Sequence, residues 1–117
     1  MTARVAADLR AAAEVLRRDG WTQEEYHRPC GHCAQGAIAV ATGFHVSLSP
    51  YSDDALDFDI VWRGVPEERA TEARNALAAK VGIHPWQIPN WNDDEGRTAD
   101  EVIAALEAAA DAAEADQ

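Results

Sequence analysis

The first twenty positions of the chain repeat apolar residues at steps of three or four, which is typical of a helix with one buried face. Thr2 is suited to cap the start of this helix and Gly20 to end it. We expect Trp21 to fold back onto the last turn as an apolar staple. The positions predicted to face the core are Val5, Leu9, Ala12 and Leu16.

The segment from Cys33 to Thr42 is apolar nearly all round and is followed by Gly43. A short helix with no polar face is typical of an element that its neighbours surround. The segment between Trp21 and Gly31 is polar and contains a proline, which favours a loop. We therefore predict a central helix that follows a loop.

Between Phe44 and Trp62 the apolar positions alternate with polar ones. Strict alternation favours two half-buried strands joined by the turn Ser-Pro-Tyr-Ser-Asp-Asp, and so a short β-hairpin. The alternative is a short helix capped by Asp53 or Asp54, because Leu56 and Ile60 also lie one helical turn apart.

The third helix is predicted to start at Pro66 and to stop before Gly82, because proline suits the first turn of a helix and glycine its end. Its apolar face consists of Ala70, Ala73, Leu77 and Val81. A loop is expected from Ile83 to Arg97. We expect three of its residues to anchor it on the core: Trp86, Ile88 and Trp91.

Thr98 and Glu101 have the spacing of a capping box and predict the start of a last helix, whose inward residues are Val102, Ile103 and Leu106. After Glu107 the chain consists almost only of alanine and acids. We therefore predict a mainly α fold of about four helices in one domain over residues 1–117, with an acidic tail that frays from about residue 110.

The net charge of −11 lies entirely in the later part of the chain. Residues 1–35 carry five arginines and five acids, whereas residues 36–117 carry five basic residues and sixteen acids. Such a field repels nucleic-acid phosphates and attracts a basic protein surface. The candidate partner surface comprises Asp53, Asp54, Asp57, Asp59, Asp93, Asp94 and Glu95. The same clusters allow an alternative, an acidic mimic of nucleic acid.

Cys30, His32 and Cys33 form a Cys-Gly-His-Cys motif directly before the central helix. A helix N-terminus and a neighbouring histidine can lower the pKa of a thiol, so these residues are candidates for redox chemistry. With two of the four histidines, the two thiols also suit tetrahedral zinc, although we expect no cofactor. The motif is identical to the active-site motif of protein disulfide isomerases. The polar segment before it, in place of an apolar strand, does not fit a thioredoxin fold.

Three blocks of sequence together resemble a family of small uncharacterised proteins from actinobacteria and their phages. The blocks are Gly20-Trp21, Cys33 to Ile38, and Ile88 to Ile103 with its Pro-Asn-Trp-Asn-Asp run. The resemblance includes Cys33 but neither Cys30 nor His32, and it implies no activity. We interpret its motifs as determinants of the fold that pack the central helix and lock the last one. The lock residues are Gly36, Trp91, Asn92, Arg97, Thr98 and Glu101.

These observations favour a non-enzymatic protein-interaction or accessory module, with a thiol redox or zinc protein as the alternative. The most apolar stretch, from Cys33 to Val40, is too short to span a bilayer, and the N-terminus is amphipathic and unlike a signal peptide. We therefore predict a cytoplasmic protein that binds another protein and neither membrane nor nucleic acid. One interpretation is a phage protein that acts on its host.

Overall fold

A computed structural model describes residues 2–23, 27–28, 31–42 and 67–115 of the chain. The predicted hairpin between Phe44 and Trp62 lies outside these residues. Within them the protein is mainly α-helical, as predicted. The elements are α1 (Thr2–Asp19), β1 (His27–Arg28), β2 (Gly31–His32), α2 (Ala34–Ala41), α3 (Glu67–Val81), a 3-10 helix (Pro85–Gln87), α4 (Ile88–Asn92) and α5 (Ala99–Ala115).

Helix α1 is the centre of the bundle, since it packs against α5, α2 and α3, and α3 packs in turn on α5. The predicted inward residues of α1 are all buried. Alanine dominates the buried positions of α1 and α5, and such small side chains allow two helices to approach closely. The core is therefore built from many small contacts around a few larger residues: Leu9, Ile38, Leu77, Ile88 and Leu106.

Two helices end at the glycines that the sequence indicated. Gly20 follows α1 with a φ of 96° and Gly82 follows α3 with a φ of 80°, a conformation that residues with a Cβ rarely adopt. The amide nitrogen of Gly20 donates to the carbonyl of Leu16, and that of Gly82 donates to the carbonyl of Ala78. Both glycines thus act as helix stops.

The polar segment after α1 contains a minimal antiparallel pair, β1 with β2, where we predicted mainly loop. Trp21 forms an isolated parallel bridge with His32, so β2 also lies beside the end of α1. The amide of His32 donates to the carbonyl of Gly20, and the amide of Thr22 donates to the carbonyl of His32. These bonds hold the start of α2 next to the end of α1.

The segment from Ile83 to Arg97 is more helical than predicted, because it contains the 3-10 helix and α4. Two of its three expected anchors contact the core: Ile88 is fully buried and Trp91 packs partly against the core. The interpretation of Trp86 as an anchor was wrong, since 69% of its surface is exposed. The 3-10 turn points this indole away from the core.

Helix α5 continues to Ala115, beyond the point where we predicted that an acidic tail begins to fray. Ala110 and Ala113 are buried, and Arg10 of α1 binds Asp111 and Glu114. The alanines therefore pack this part of α5 onto the bundle. None of the helices in the described ranges is long and apolar enough to cross a membrane.

Candidate functional site

Asn92, the last residue of α4, connects three separate parts of the chain and is 1% exposed. Its Oδ1 accepts from the indole Nε1 of Trp21 at 2.7 Å and from the backbone nitrogen of Ala34 at 2.9 Å. Its Nδ2 donates to the carbonyl of Thr22 at 3.0 Å and to Oδ1 of Asp93 at 3.0 Å. The amide group thus ties α4 to the end of α1 and to the start of α2.

Cys33 is the N-cap of α2 and works together with Asn92. Its Sγ accepts from the backbone nitrogen of Gly36 at 3.3 Å, while Asn92 accepts from that of Ala34. The first N–H groups of a helix have no partner within it, and a buried helix start needs acceptors from elsewhere. Cys33 and Asn92 supply them, and we call this arrangement the Asn92 junction.

The thiol of Cys33 is poorly suited to redox chemistry. Its side chain is buried, and burial raises its pKa to about 11, which outweighs the hydrogen bond from Gly36. Reactive cysteines have accessible thiols with a lowered pKa. The backbone N–H groups at the helix N-terminus lower the pKa of this thiol, as expected, but the larger effect of desolvation raises it overall. Cys30 lies outside the described residues.

His32 faces α1, with its Nε2 3.0 Å from Oδ2 of Asp19. Arg18, and after it His32, hold the pKa of the Asp19 carboxyl below its ordinary value by hydrogen bonding. His32 therefore has a partner at the end of α1. No three His, Cys, Asp or Glu side chains are grouped to hold a metal ion within the ranges that the structure describes.

Four of the predicted lock residues meet at the turn before α5: Trp91, Arg97, Thr98 and Glu101. Arg97 lies over the ring of Trp91 at 4.5 Å and donates through Nε to the carbonyl of that residue at 3.0 Å. Its Nη1 binds Glu101 at 3.0 Å and its Nη2 approaches Asp94 at 3.4 Å. Thr98 accepts from the backbone nitrogen of Glu101 at 3.2 Å. Gly36 is buried near the start of α2.

The acids on the later turns of α5 form ion pairs with arginines of α1. Arg17 contacts Glu107, and Arg10 reaches Asp111 at 2.9 Å and Glu114. These pairs are exposed and contribute little to stability. Their consequence is electrostatic, because the arginines of the neutral first third of the chain offset part of the later acidity.

A second group of acids, which we call the acidic corner, lies around the start of α5. It consists of five exposed carboxylates and one arginine, a net charge of −4 between residues 93 and 101. Arg97 contacts two of these carboxylates, whereas Glu95 and Asp100 form no ion pair with any described residue. The other predicted acidic residues, Asp53, Asp54, Asp57 and Asp59, lie outside the described residues.

Sequence reasoning missed a further surface, formed by Arg74 of α3 and Trp86. The guanidinium carbon of Arg74 lies 5.3 Å from the centre of the indole, and the ring of His84 is stacked at 6.3 Å on the same tryptophan. A signal was present in the sequence, since residues 73–92 contain no acid although acidic segments lie on both sides; residues 26–52 are the other long run without acids. We call these three residues the Trp86 corner.

Comparison with known proteins identifies the family and no closer relative. No curated protein and no solved structure has significant similarity to the chain. A family model described as a family of unknown function, DUF6197, matches residues 1–112. The match includes the Asn92 junction, the acidic corner and the Trp86 corner. The chain therefore belongs to the DUF6197 family of unknown function.

Proposed function

We propose that the protein is a non-enzymatic protein-interaction or accessory module that binds a basic surface of a partner protein through the acidic corner. In this proposal it is an actinobacterial or phage protein that acts in the cytoplasm, and its phage forms modulate a host protein. The observation that carries the proposal is the contrast between the two groups of acids on and next to α5.

Both groups belong to the same part of the chain, but only on the later turns of α5 does each described acid form an ion pair within the protein. Glu107, Asp111 and Glu114 face arginines of α1. The acidic corner keeps a net charge of −4, and Glu95 and Asp100 in it have no ion-pair partner among the described residues. Unpaired carboxylates of one sign increase the rate of encounter with a basic partner.

The start of α5 gives these acids a second, internal role. Asp100 and Glu101 lie in the first turn, where the helix dipole favours negative charge. That role stabilises the helix by only about 0.3–1 kcal/mol at an exposed site. It applies less to Glu95, which precedes the helix and is exposed. An interaction with a partner accounts for a carboxylate at this position better than helix stability does.

The test compares two double variants that remove the same number of charges. Glu95→Gln with Asp100→Asn removes acids that form no ion pair with a described residue, and Asp111→Asn with Glu114→Gln removes acids that Arg10 contacts. Each protein is used to capture partners from an extract of the cells that produce it, at about 50 mM and about 500 mM salt.

We expect wild type and the Asp111/Glu114 variant to retain the same basic protein at low salt and to release it at high salt. The Glu95/Asp100 variant should retain at least about fivefold less of it, since a few paired charges at an interface rim change affinity by about 1 kcal/mol. Equal retention by both variants, or retention that salt does not change, would contradict the proposal.

A further inference from the structure

The Trp86 corner presents a large apolar side chain on a rigid support. Trp86 is 69% exposed and is the largest exposed apolar residue that the structure describes. Its 3-10 helix has a reciprocal cap, in which the ring of His84 accepts from the backbone of Trp86 and Gln87 accepts from the backbone of His84. Pro85 at the first position and buried Ile88 behind the turn fix it further.

Arg74 differs from the other described arginines because it forms no ion pair with a described residue. Each of the six others whose side chains the structure describes forms an ion pair: Arg4, Arg10, Arg17, Arg18, Arg69 and Arg97. Arg74 forms none with any described residue, and its Nε is buried without a hydrogen-bond partner. In a protein with twice as many acids as bases, a guanidinium without a carboxylate is unexpected on statistical grounds alone.

No carboxylate follows Arg74 in the chain until Asp93, and Glu72 just before it is paired with Arg4. Residues 73–92 carry Arg74 and Lys80 and no acid, although the whole chain has 21 acids. An arginine over an indole is weakly attracted to the ring and still has donors for a carboxylate. Tryptophan and arginine are also the residues that most often dominate the binding energy of interfaces.

We propose that Arg74 and Trp86 form a docking site for a segment of a partner protein that presents a carboxylate beside an apolar side chain. The carboxylate pairs with the guanidinium of Arg74, and the apolar side chain covers the exposed indole. This site goes beyond the proposed function, because it is separate from the acidic corner in sequence and takes the opposite charge. The protein would then connect two partners.

The net charge of −11 favours a short segment over other occupants. A nucleic acid would meet repulsion along its whole backbone, and a second copy of this chain would bring another −11. A segment with one carboxylate experiences mainly the local field, because charges beyond about 8 Å are screened at physiological ionic strength. The charged residues nearest to Arg74 in the chain are Glu72, which pairs with Arg4, and Lys80.

The test uses a display library of random heptapeptides, selected on the full chain and counter-selected on Trp86→Ala. Enriched peptides are synthesised and titrated by calorimetry. We expect an Asp or Glu next to an apolar residue in these peptides. Arg74→Gln should weaken their binding at least about tenfold, as expected for the loss of a charge-assisted hydrogen bond. Lys80→Gln, which removes a neighbouring cation, should change it less than about twofold.

A double-mutant cycle identifies the pair directly. Replacing the peptide's Glu by Gln should weaken binding to wild type about tenfold and binding to Arg74→Gln very little. If a thermal melt shows that Arg74→Gln is unfolded, the cycle is carried out with Arg74→Lys, which keeps the charge. Several results would overturn the proposal: no enriched peptide, enriched peptides without a carboxylate, additive effects in the cycle, binding only to a single-stranded oligonucleotide, or Trp86-dependent dimerisation in place of peptide binding.

Discussion

The Asn92 junction and the Trp86 corner are only six residues apart in the chain, yet their polar groups differ in how many partners they have within the protein. At the junction, both polar side-chain atoms of Asn92, Oδ1 and Nδ2, form hydrogen bonds and the residue is buried. At the corner, Arg74 forms no ion pair with any described residue and Trp86 is exposed. A buried group with every bond made contributes to the fold. In our proposal, the cation beside the exposed indole binds a partner.

The same contrast applies to the acids. Those on the later turns of α5 are paired with α1, and those of the acidic corner are only partly paired. Net charge counted along the sequence therefore overstates the charge that a partner meets on α5. The location of the arginines decides which acids remain without an ion pair.

The largest expected effect is on the junction. Asn92→Ala removes the acceptor of Trp21 Nε1 and Ala34 N, and the donor to Thr22 O. Leaving buried polar groups without partners should lower the free energy of unfolding by about 3 kcal/mol, measured by urea denaturation. Trp21→Phe, which removes one donor and part of a ring that packs against the core, should cost about 1–2 kcal/mol. An Asn92→Ala protein as stable as wild type would show that the junction does not hold the bundle.

A somewhat smaller effect should appear at alkaline pH. The pKa of Cys33 is raised from 9.0 to about 11 by burial, so the folded protein keeps a proton that the unfolded chain releases. The stabilisation that comes from this thiol is fully present below about pH 9. It is lost as pH rises toward 11, which lowers the free energy of unfolding by about 2–3 kcal/mol. Urea denaturation at pH 8 and pH 11 measures it.

Cys33→Ser is the matched control for this pH dependence. Serine keeps an acceptor at the N-cap and does not titrate in this range. The loss of stability between pH 8 and pH 11 should therefore be smaller in the variant than in wild type by the amount assigned to the thiol. Equal losses in the two proteins would mean that Cys33 is not the titrating group.

Two tryptophans should differ in their effect on stability: Trp91 in α4 and Trp86 in the 3-10 helix before it. Trp91→Ala removes a side chain that packs on the core and under Arg97, and should cost about 2 kcal/mol in urea denaturation. Trp86→Ala should change stability by less than about 0.5 kcal/mol, because the side chain is exposed. A large loss in Trp86→Ala would make this residue an anchor after all and would weaken the case for a docking site.

The helices were predictable because their signals are local. The spacing of Leu9 and Leu16, Gly82 after α3, and the spacing of Thr98 and Glu101 each depend on a few neighbouring residues. The resemblance to the family also depends on such short blocks of sequence. Apolar periodicity and caps act over one or two turns, so no knowledge of distant contacts was needed.

The junction was not predictable, because its bonds join residues that are far apart in sequence. Asn92 and Trp21 are separated by 71 residues, and nothing in either neighbourhood points to the other. Asn92 was therefore interpreted only as one of the residues that lock the last helix. The raised pKa of Cys33 also depends on burial by other elements, which the Cys-Gly-His-Cys motif does not encode.

Trp86 was misassigned for a different reason. Tryptophan in a loop is usually buried, so composition favoured an anchor over an exposed residue. The acid-free run of residues 73–92 was visible in the sequence and would have separated this segment from the acidic ones on both sides. Local charge around an aromatic residue is therefore a signal that complements periodicity.

The reactivity of Cys33 tests most directly whether the junction is structural and the surfaces around it are the functional part. In a Cys30→Ser chain at pH 8, the rate at which a disulfide reagent modifies the thiol is measured in the folded and the urea-unfolded protein. We predict modification at least about a hundredfold slower in the folded protein, because the buried thiol reacts only after opening. Modification at similar rates in both states would contradict this and would favour thiol chemistry at the junction.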